Sequence, residues 1–505
     1  VKATPRTSAT TSMDTPTAPQ RWAFLAVISA GLFLIGVDNS ILYTALPVLR
    51  EDLQMTELQG LWIINAYPLL MAGLLLGTGT LGDRIGHRLM FLIGLCIFGL
   101  ASLSAAFAPG AWALVAARSF LGIGAATMMP ATLALIRITF EDERERNMAI
   151  GIWGSVAVVG SAAGPVIGGV LLEFFWWGSV FLINVPVALA ALILTVAVAP
   201  ANMPNPDSRW DLLSSIYALI TLAALVVGIK EVVSPQRQMW LLASALIVFL
   251  SGAVLFRLRQ QRLTQPLIDF DLFRNRIFSG GVIAAGMSMF VMAGVEMTTT
   301  QRFQLSIGFT PLEAGLLMVC LAGAAIPTSI IGGAFLHRWG FLPLICGGFL
   351  AAAAGIAVSI WGATHDNGLP AFAVGLALIG AGGGAIMSVA STAIIGSAPI
   401  RRAGMASSIE EVSYEFGTLC SVSLLGSLFP VFYAIHAPEQ VSGSFSAGVH
   451  HPEFGDAARV ALDSAYINVL TIACVTALLA AGVTAWLFRG NPGRATYQDK
   501  ERVLP

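Results

Sequence analysis

Charge is what this chain has least of: 27 Lys and Arg with 28 Asp and Glu make up 11% of its 505 residues. Water-soluble domains carry about 25%. With a mean hydropathy of +0.80, the chain falls outside that class. Cysteine is scarce too. Cys96, Cys320, Cys346, Cys420 and Cys474 all sit in apolar stretches at no metal-like spacing, which reads as buried free thiols and excludes a disulfide framework. A net charge of −1, with no basic run and no basic patch interleaved with aromatics, excludes nucleic acid as a partner. The sequence holds no GxxxxGK(S/T) loop for nucleotide phosphates and no nucleophile or metal constellation. Adjacent His450 and His451 have no third ligand. No enzyme and no cofactor is expected.

What the chain has is apolar length. About 20 apolar residues cross a bilayer, and 56% of this sequence is hydrophobic. The pattern predicts an all-α integral membrane protein with fourteen spans: 21–47, 57–81, 89–108, 112–138, 147–172, 177–199, 211–229, 239–257, 277–300, 312–336, 341–362, 369–396, 403–431 and 463–488. Residues 1–20, rich in Thr, Ser and Pro, read as a disordered tail, and 489–505 as a second tail. Residues 432–462 form the longest connection, read as a small hairpin or a mobile loop. Placing both termini in the cytoplasm puts Arg50, Lys230, Arg237, Arg302 and Arg459 outside and Arg118 within the membrane, with the rest of the 27 basic residues inside. Such asymmetry sets orientation.

The chain also repeats itself. Gly79–Gly86 (GTLGDRIG) is echoed by Gly333–Gly340 (GAFLHRWG), and Leu121–Ala126 (LGIGAA) by Ile379–Gly384 (IGAGGG), at offsets of 254 and 258 residues. Two six-helix halves, 21–199 and 263–488, therefore flank an inserted pair within 200–262. Parallel halves with substrate held between them at mid-membrane describe a secondary transporter.

Against this apolar background, acids inside spans stand out. Glu410, Glu411 and Glu415 lie in the penultimate span, where a charge costs at least about 2.5–3.5 kcal/mol. Glu411 and Glu415 fall one turn apart on one face, with Glu410 about 100° round. Membrane acids at this depth handle protons, ions or substrate. Glu296, near the outer end of its helix, reads equally as a substrate contact or an interfacial acid. Asp52, Glu57 and Glu231 sit at span boundaries and are expected to be solvated. Trp62, Tyr67, Tyr414, Phe290 and Met297 are candidate walls for an organic cation through aromatic or thioether contact. Arg118 needs a carboxylate or several carbonyls as partner.

Several segments resemble the major facilitator superfamily. Gly79–Leu89 (GTLGDRIGHRL) is similar to its cytoplasmic loop signature. The resemblance implies a conformational latch built from Gly79, Asp83, Arg84, Gly86 and Arg88, in which Asp83 forms a charge network with Arg84 and Arg88. Leu114–Gly122 around Arg118 resembles the family's fourth-helix motif, for which assistance to proton transfer is implied. Gly160–Gly169 (GSAAGPVIGG) matches the antiporter signature on Gly160, Gly164, Pro165, Gly168 and Gly169. Asp38 in Val37–Pro47, Phe181–Pro186 (FLINVP) and Pro266–Arg274 (PLIDFDLFR) resemble hallmarks of the fourteen-helix drug:proton antiporters, a group that includes EmrB-like members. The stretch Ala403–Gly417 is similar to the QacA, SmvA and LfrA branch.

This resemblance implies a proton-driven antiporter of the bacterial cytoplasmic membrane. It would export lipophilic cations such as quaternary ammonium biocides and dyes, contacting membrane lipid and working as a monomer. Asp38, Arg118, Glu410, Glu411 and Glu415 would couple the proton. Asp38, Glu411, Glu415, Tyr414, Trp62, Tyr67, Phe290, Glu296 and Met297 would line the substrate site. The alternative is a proton-coupled carrier of another small molecule or a lipid: a nutrient importer or lipid exporter. An adaptor or outer-membrane partner stays open.

Overall fold

The computed structural model describes residues 17–206, 210–234, 237–264, 266–365, 368–398 and 403–489. The tail to residue 16, Arg209, Arg401, Arg402 and residues 490–505 lie outside the described residues. The N-terminal half comprises α1 (Ala18–Asp52), α2 (Glu57–Ile85), α3 (His87–Ala106), α4 (Ala111–Thr139), α5 (Glu143–Phe174), α6 (Ser179–Leu182) and α7 (Asn184–Val198). The inserted pair is α8 (Leu212–Val233) and α9 (Met239–Arg262). The C-terminal half comprises α10 (Arg276–Arg302), α11 (Pro311–Trp339), α12 (Phe341–Ala363), α13 (Gly368–Ser397), α14 (Ala403–His436), α15 (Phe445–Gly448) and α16 (Gly455–Phe488). Among the described residues, thirteen helical spans are long and apolar enough to cross a membrane, with α6 and α7 counted as one. The fourteenth expected span is α5, whose shorter apolar part is Val159–Phe174.

The repeat extends to the backbone. Thr56 opens α2 with a capping box to Gln59, and Thr310 opens α11 with one to Glu313, which satisfies otherwise orphan N–H groups at both starts. Both helices end on a glycine with positive φ, Gly86 at 97° and Gly340 at 79°. A side chain is disfavoured at such an angle. Start and stop signals thus recur at the same spacing as the loop motif.

Small residues decide where the halves meet. Along α5, a Cβ at Gly160 would come within 2.8 Å of the Phe33 carbonyl, and Gly164 and Gly168 face Ser40 and Ile41, all on α1. Gly169 faces the start of α11, where a Cβ would lie 2.8 Å from the Pro311 carbonyl. Gly315 of α11 in turn abuts the Pro165 carbonyl. The GPxxGG segment is therefore the strip along which one half touches the other, as small-residue packing in membranes allows.

The other seam joins α2 to α14, and α8 lies across it. Gly73 and Gly77 of α2 receive Leu219 and Ser215 of α8, while α9 packs mainly on α8. The foot of the pair is tied by Asp211, which accepts from Arg259 Nε (3.0 Å) and from Ser214. Burial raises the pKa of the Asp211 carboxyl, but hydrogen bonds from Arg259 and Ser214 outweigh it and hold the group below its usual value. Gln260 donates to Ser214 Oγ (2.6 Å) and accepts from Leu267 N (2.7 Å), fastening the connector to the C-terminal half.

At the end of the bundle farthest from the Gly86 turn, the halves are closed. Arg50, placed at the outer end of its helix, is 5% exposed. It pairs with Glu57 (2.8 Å), donates to Gln301 of α10 (3.0 Å) and lies 4.8 Å from the ring centre of Phe445. Gln304 adds a hydrogen bond to the Thr44 carbonyl (2.9 Å). The expectation of solvated boundary charges is corrected at Glu57 and Glu231, and Arg302 is buried as well. Glu57 is the partner of Arg50, Glu231 is buried and accepts from Gln238 N (3.0 Å), and Arg302 is buried against Asp463 (2.8 Å). For Arg50 the cause is α15, in the connection between α14 and α16, whose Phe445 covers it and packs on Phe429 and Tyr433. Asp52 is exposed, as expected. The cysteines are free, as expected, but not buried: Cys96 is exposed and the other four are half-buried.

Candidate functional site

α1 carries Asp38 into the middle of the N-terminal half, where it is fully buried. Arg118 of α4 pairs with it directly, and Asn184 donates to its other oxygen (3.0 Å). Asn184 opens α7 just past the break at Ile183, and its amide also reaches Ser102 Oγ (3.3 Å). Arg118 spends Nε on the Ile63 carbonyl (3.3 Å) and sits 4.6 Å from the centre of the Tyr67 ring. A buried arginine is tolerable only with this many partners. Asn184 belongs to the FLINVP segment and was not among the expected site residues; a polar residue in an apolar helix is the signal that could have marked it.

The acids of α14 face three environments. Glu410 is buried and accepts from Tyr414 Oη (2.9 Å), which ties Tyr414 to a carboxylate. Glu415 is buried, and its Oε2 has no hydrogen-bond partner among the described residues. Arg118 acts on Glu415 electrostatically across the interface between halves, and Tyr43 and Tyr67 lie within the same field. Glu296 of α10, half-buried, also acts on Tyr43. Asp38, Arg118, Tyr67 and Glu415 therefore form one cluster that joins the halves.

Glu411 is different. It lines a cavity of ≈ 340 Å³ that runs between α2, α4, α5 and α14 toward the Gly86 turn. Exposed Asp83 and Arg137 stand in its wall, with Thr80, Ser407 and Ser408 as further polar lining. The apolar lining includes Met129, Pro130, Trp153 and Met405. Gly79 lines it as well. Only Glu411 of the three α14 acids does so.

Other expected residues lie elsewhere. Trp62 packs with Leu69, Val226 and Leu419 on the seam under α8, and lines a separate small cleft with Asn65, Lys230, Ser423 and Ser427. Phe290 is buried in the C-terminal core, and its carbonyl accepts from Ser421 (2.6 Å). Met297 is fully buried near Gly426 and Leu61. Neither lines the cavity.

The expected Asp83–Arg84–Arg88 network is corrected. Asp83 contacts His87 Nε2 (3.0 Å) and Arg84 is exposed, while Arg88 donates to the carbonyls of Val196 (2.9 Å) and Pro200 (3.3 Å). Carbonyls at a helix C-terminus lack intrahelical partners and carry partial negative charge, so a guanidinium is well placed there. Asn202 braces the same turn by donating to the Ile85 carbonyl (2.8 Å).

Over residues 28–295 the chain matches the family model of the Major Facilitator Superfamily. It is 34% identical to the multidrug efflux pump LfrA of Mycolicibacterium smegmatis, over 95% of this chain and 98% of that one. It is 36% identical to the methyl viologen resistance protein SmvA of Salmonella typhimurium, over 88% and 87%. Among solved structures, a bacterial homolog of the human lysosomal transporter Spinster, in an inward-facing and unoccupied conformation, superposes with a TM-score of 0.65. That match has 16% identity over 94% of this chain and 98% of that one, a likeness of fold.

Proposed function

This chain belongs to the major facilitator superfamily and to its drug-efflux transporters, and on that premise we propose that it exchanges external protons for lipophilic cations taken from the cytoplasmic side. The observation that carries this reading is Glu411, the one α14 carboxylate in the wall of a cavity whose lining extends to exposed Asp83 and Arg137, beside a buried acid–arginine cluster that does not line it. The distribution of basic residues supports the Gly86 end as cytoplasmic, with both termini there, in the bacterial cytoplasmic membrane.

In this reading the division of labour follows exposure. An organic cation entering the cavity pairs with Glu411, while Asp38, Arg118 and Glu415 handle the proton out of its reach. A buried carboxylate is relieved by a proton or by a positive partner. When a proton takes Asp38, Arg118 is released toward Glu415 on the other half, where an orphan oxygen faces its field. That exchange of partners changes what holds the two halves together. Closure at the far end, through Arg50, Gln301 and Phe445, is the contact that outward opening breaks. Differential affinity of the two states for proton and cation couples the fluxes.

The test is energetic. Collapsing the proton gradient stops efflux from loaded cells, whereas depleting ATP with the gradient clamped leaves efflux running. The reverse pattern rejects secondary antiport.

A further inference from the structure

The cavity that holds Glu411 has one phenylalanine, tyrosine or tryptophan among the described residues that line it: Trp153 of α5. Its position is built. The indole Nε1 donates to Thr132 Oγ1 (3.1 Å), and that hydroxyl in turn donates to the Met129 carbonyl (2.7 Å). An indole has a single N–H and no acceptor, so this bond uses its whole polar capacity and anchors one edge of the ring to α4. Thr132 is fully buried, so the anchor is shielded from water. Trp153 itself is half-buried and contributes to the cavity wall. Met129 of α4 and Met405 of α14 bring polarisable thioethers to the same wall.

Resting on the exchange reading above, we propose that Trp153 is the specificity-determining platform of this carrier, on which flat aromatic cations stack while their charge is met by Glu411. Trp153 belongs to the N-terminal half and Glu411 to the C-terminal half. A substrate with both a charge and a ring system therefore touches both halves at once, and binding biases their relative position. A cation with only alkyl groups can meet the ring through its headgroup alone, a cation–π contact without the stacked area that a flat ring system adds. The aromatic residues that composition singled out do not take this place: Trp62 lies under α8, Tyr67 under Arg118, Tyr414 on Glu410 and Phe290 in the core.

Stacking of a cation on a desolvated indole is a strong enough interaction to be read as a change in KM. In proteoliposomes driven by a proton gradient, Trp153→Leu keeps apolar bulk and removes the π-face. It raises the KM for ethidium roughly tenfold and the KM for dodecyltrimethylammonium by about threefold at most, since only headgroup contact with the ring is lost, with kcat for both within about twofold. Trp153→Phe recovers most of the ethidium affinity. Thr132→Val, which leaves the ring but removes its anchor, gives a smaller rise confined to ethidium. Equal losses for both cations in Trp153→Leu, or no loss for either, overturn the platform. If the wild-type protein accumulates neither cation under a gradient, the exchange reading fails and this inference falls with it. A wild type that moves both, with an unchanged ratio in Trp153→Leu, sinks only the platform.

Discussion

Glu411→Gln cuts ethidium export from loaded cells to about a tenth of the wild-type rate or less, at equal protein in the membrane. The substitution keeps shape and hydrogen-bonding size and removes one negative charge from the cavity wall. A charge-assisted contact is worth about 1.5–3 kcal/mol, and each 1.4 kcal/mol is a tenfold change. Glu410 does not substitute for it, because that carboxylate is buried and occupied by Tyr414. Glu415 does not either, since it lies in the field of Arg118 and outside the cavity wall. Export at the wild-type rate in Glu411→Gln removes this residue from the site.

Arg118→Ala has the largest expected effect on the folded protein. It strands Asp38, fully buried, with only the Asn184 amide for company. Removing one partner of a buried pair costs ~3–5 kcal/mol, because the remaining charge is left uncompensated. It also takes away the cation over Tyr67 and the donor to the Ile63 carbonyl. The melting temperature of the detergent-solubilised protein falls, and export is lost. Adding Asp38→Asn to Arg118→Ala regains part of the lost stability, since no unpaired charge remains, but regains no export. A double variant that melts as low as Arg118→Ala alone shows that the ion pair is not what the arginine contributes. Neighbouring residues of one network are expected to couple in this way.

Elements whose instructions are local were legible in the sequence. Thr56 with Gln59, Thr310 with Glu313, and the terminal glycines Gly86 and Gly340 act within a few residues of themselves. Helix limits and the two-half repeat were accordingly read close to where they lie. The pairing of Asp38 with Arg118 follows from a need that each residue has alone, a partner in hydrocarbon. What escaped depends on distant segments. Arg50 looks like a solvated charge at a helix end, and only the fold of the connection between α14 and α16 puts Phe445 over it. Arg88 sits beside Asp83 in the chain, but the Gly86 turn starts a new helix and sends the guanidinium to the end of α7. Trp153 stands amid small apolar residues, and the threonine that orients it is on another helix. Tyr414 sits one turn from Glu410 and bonds to it, a contact the i, i+4 spacing could have shown. Glu411 and Glu415 share a helix face, yet α2 and α4 lie so that only the first meets the cavity.

An organic cation at Glu411 and protons on the membrane acids of the carrier exclude one another, because an acid in the membrane is not left charged and unpartnered. The most direct measurement is proton release from the purified protein in weakly buffered detergent when dodecyltrimethylammonium is added. Protons appear in the medium as the cation binds, in smaller amount from Glu411→Gln and Asp38→Asn. Saturable cation binding with no proton released, by the wild-type protein across the neutral range, contradicts that exclusion.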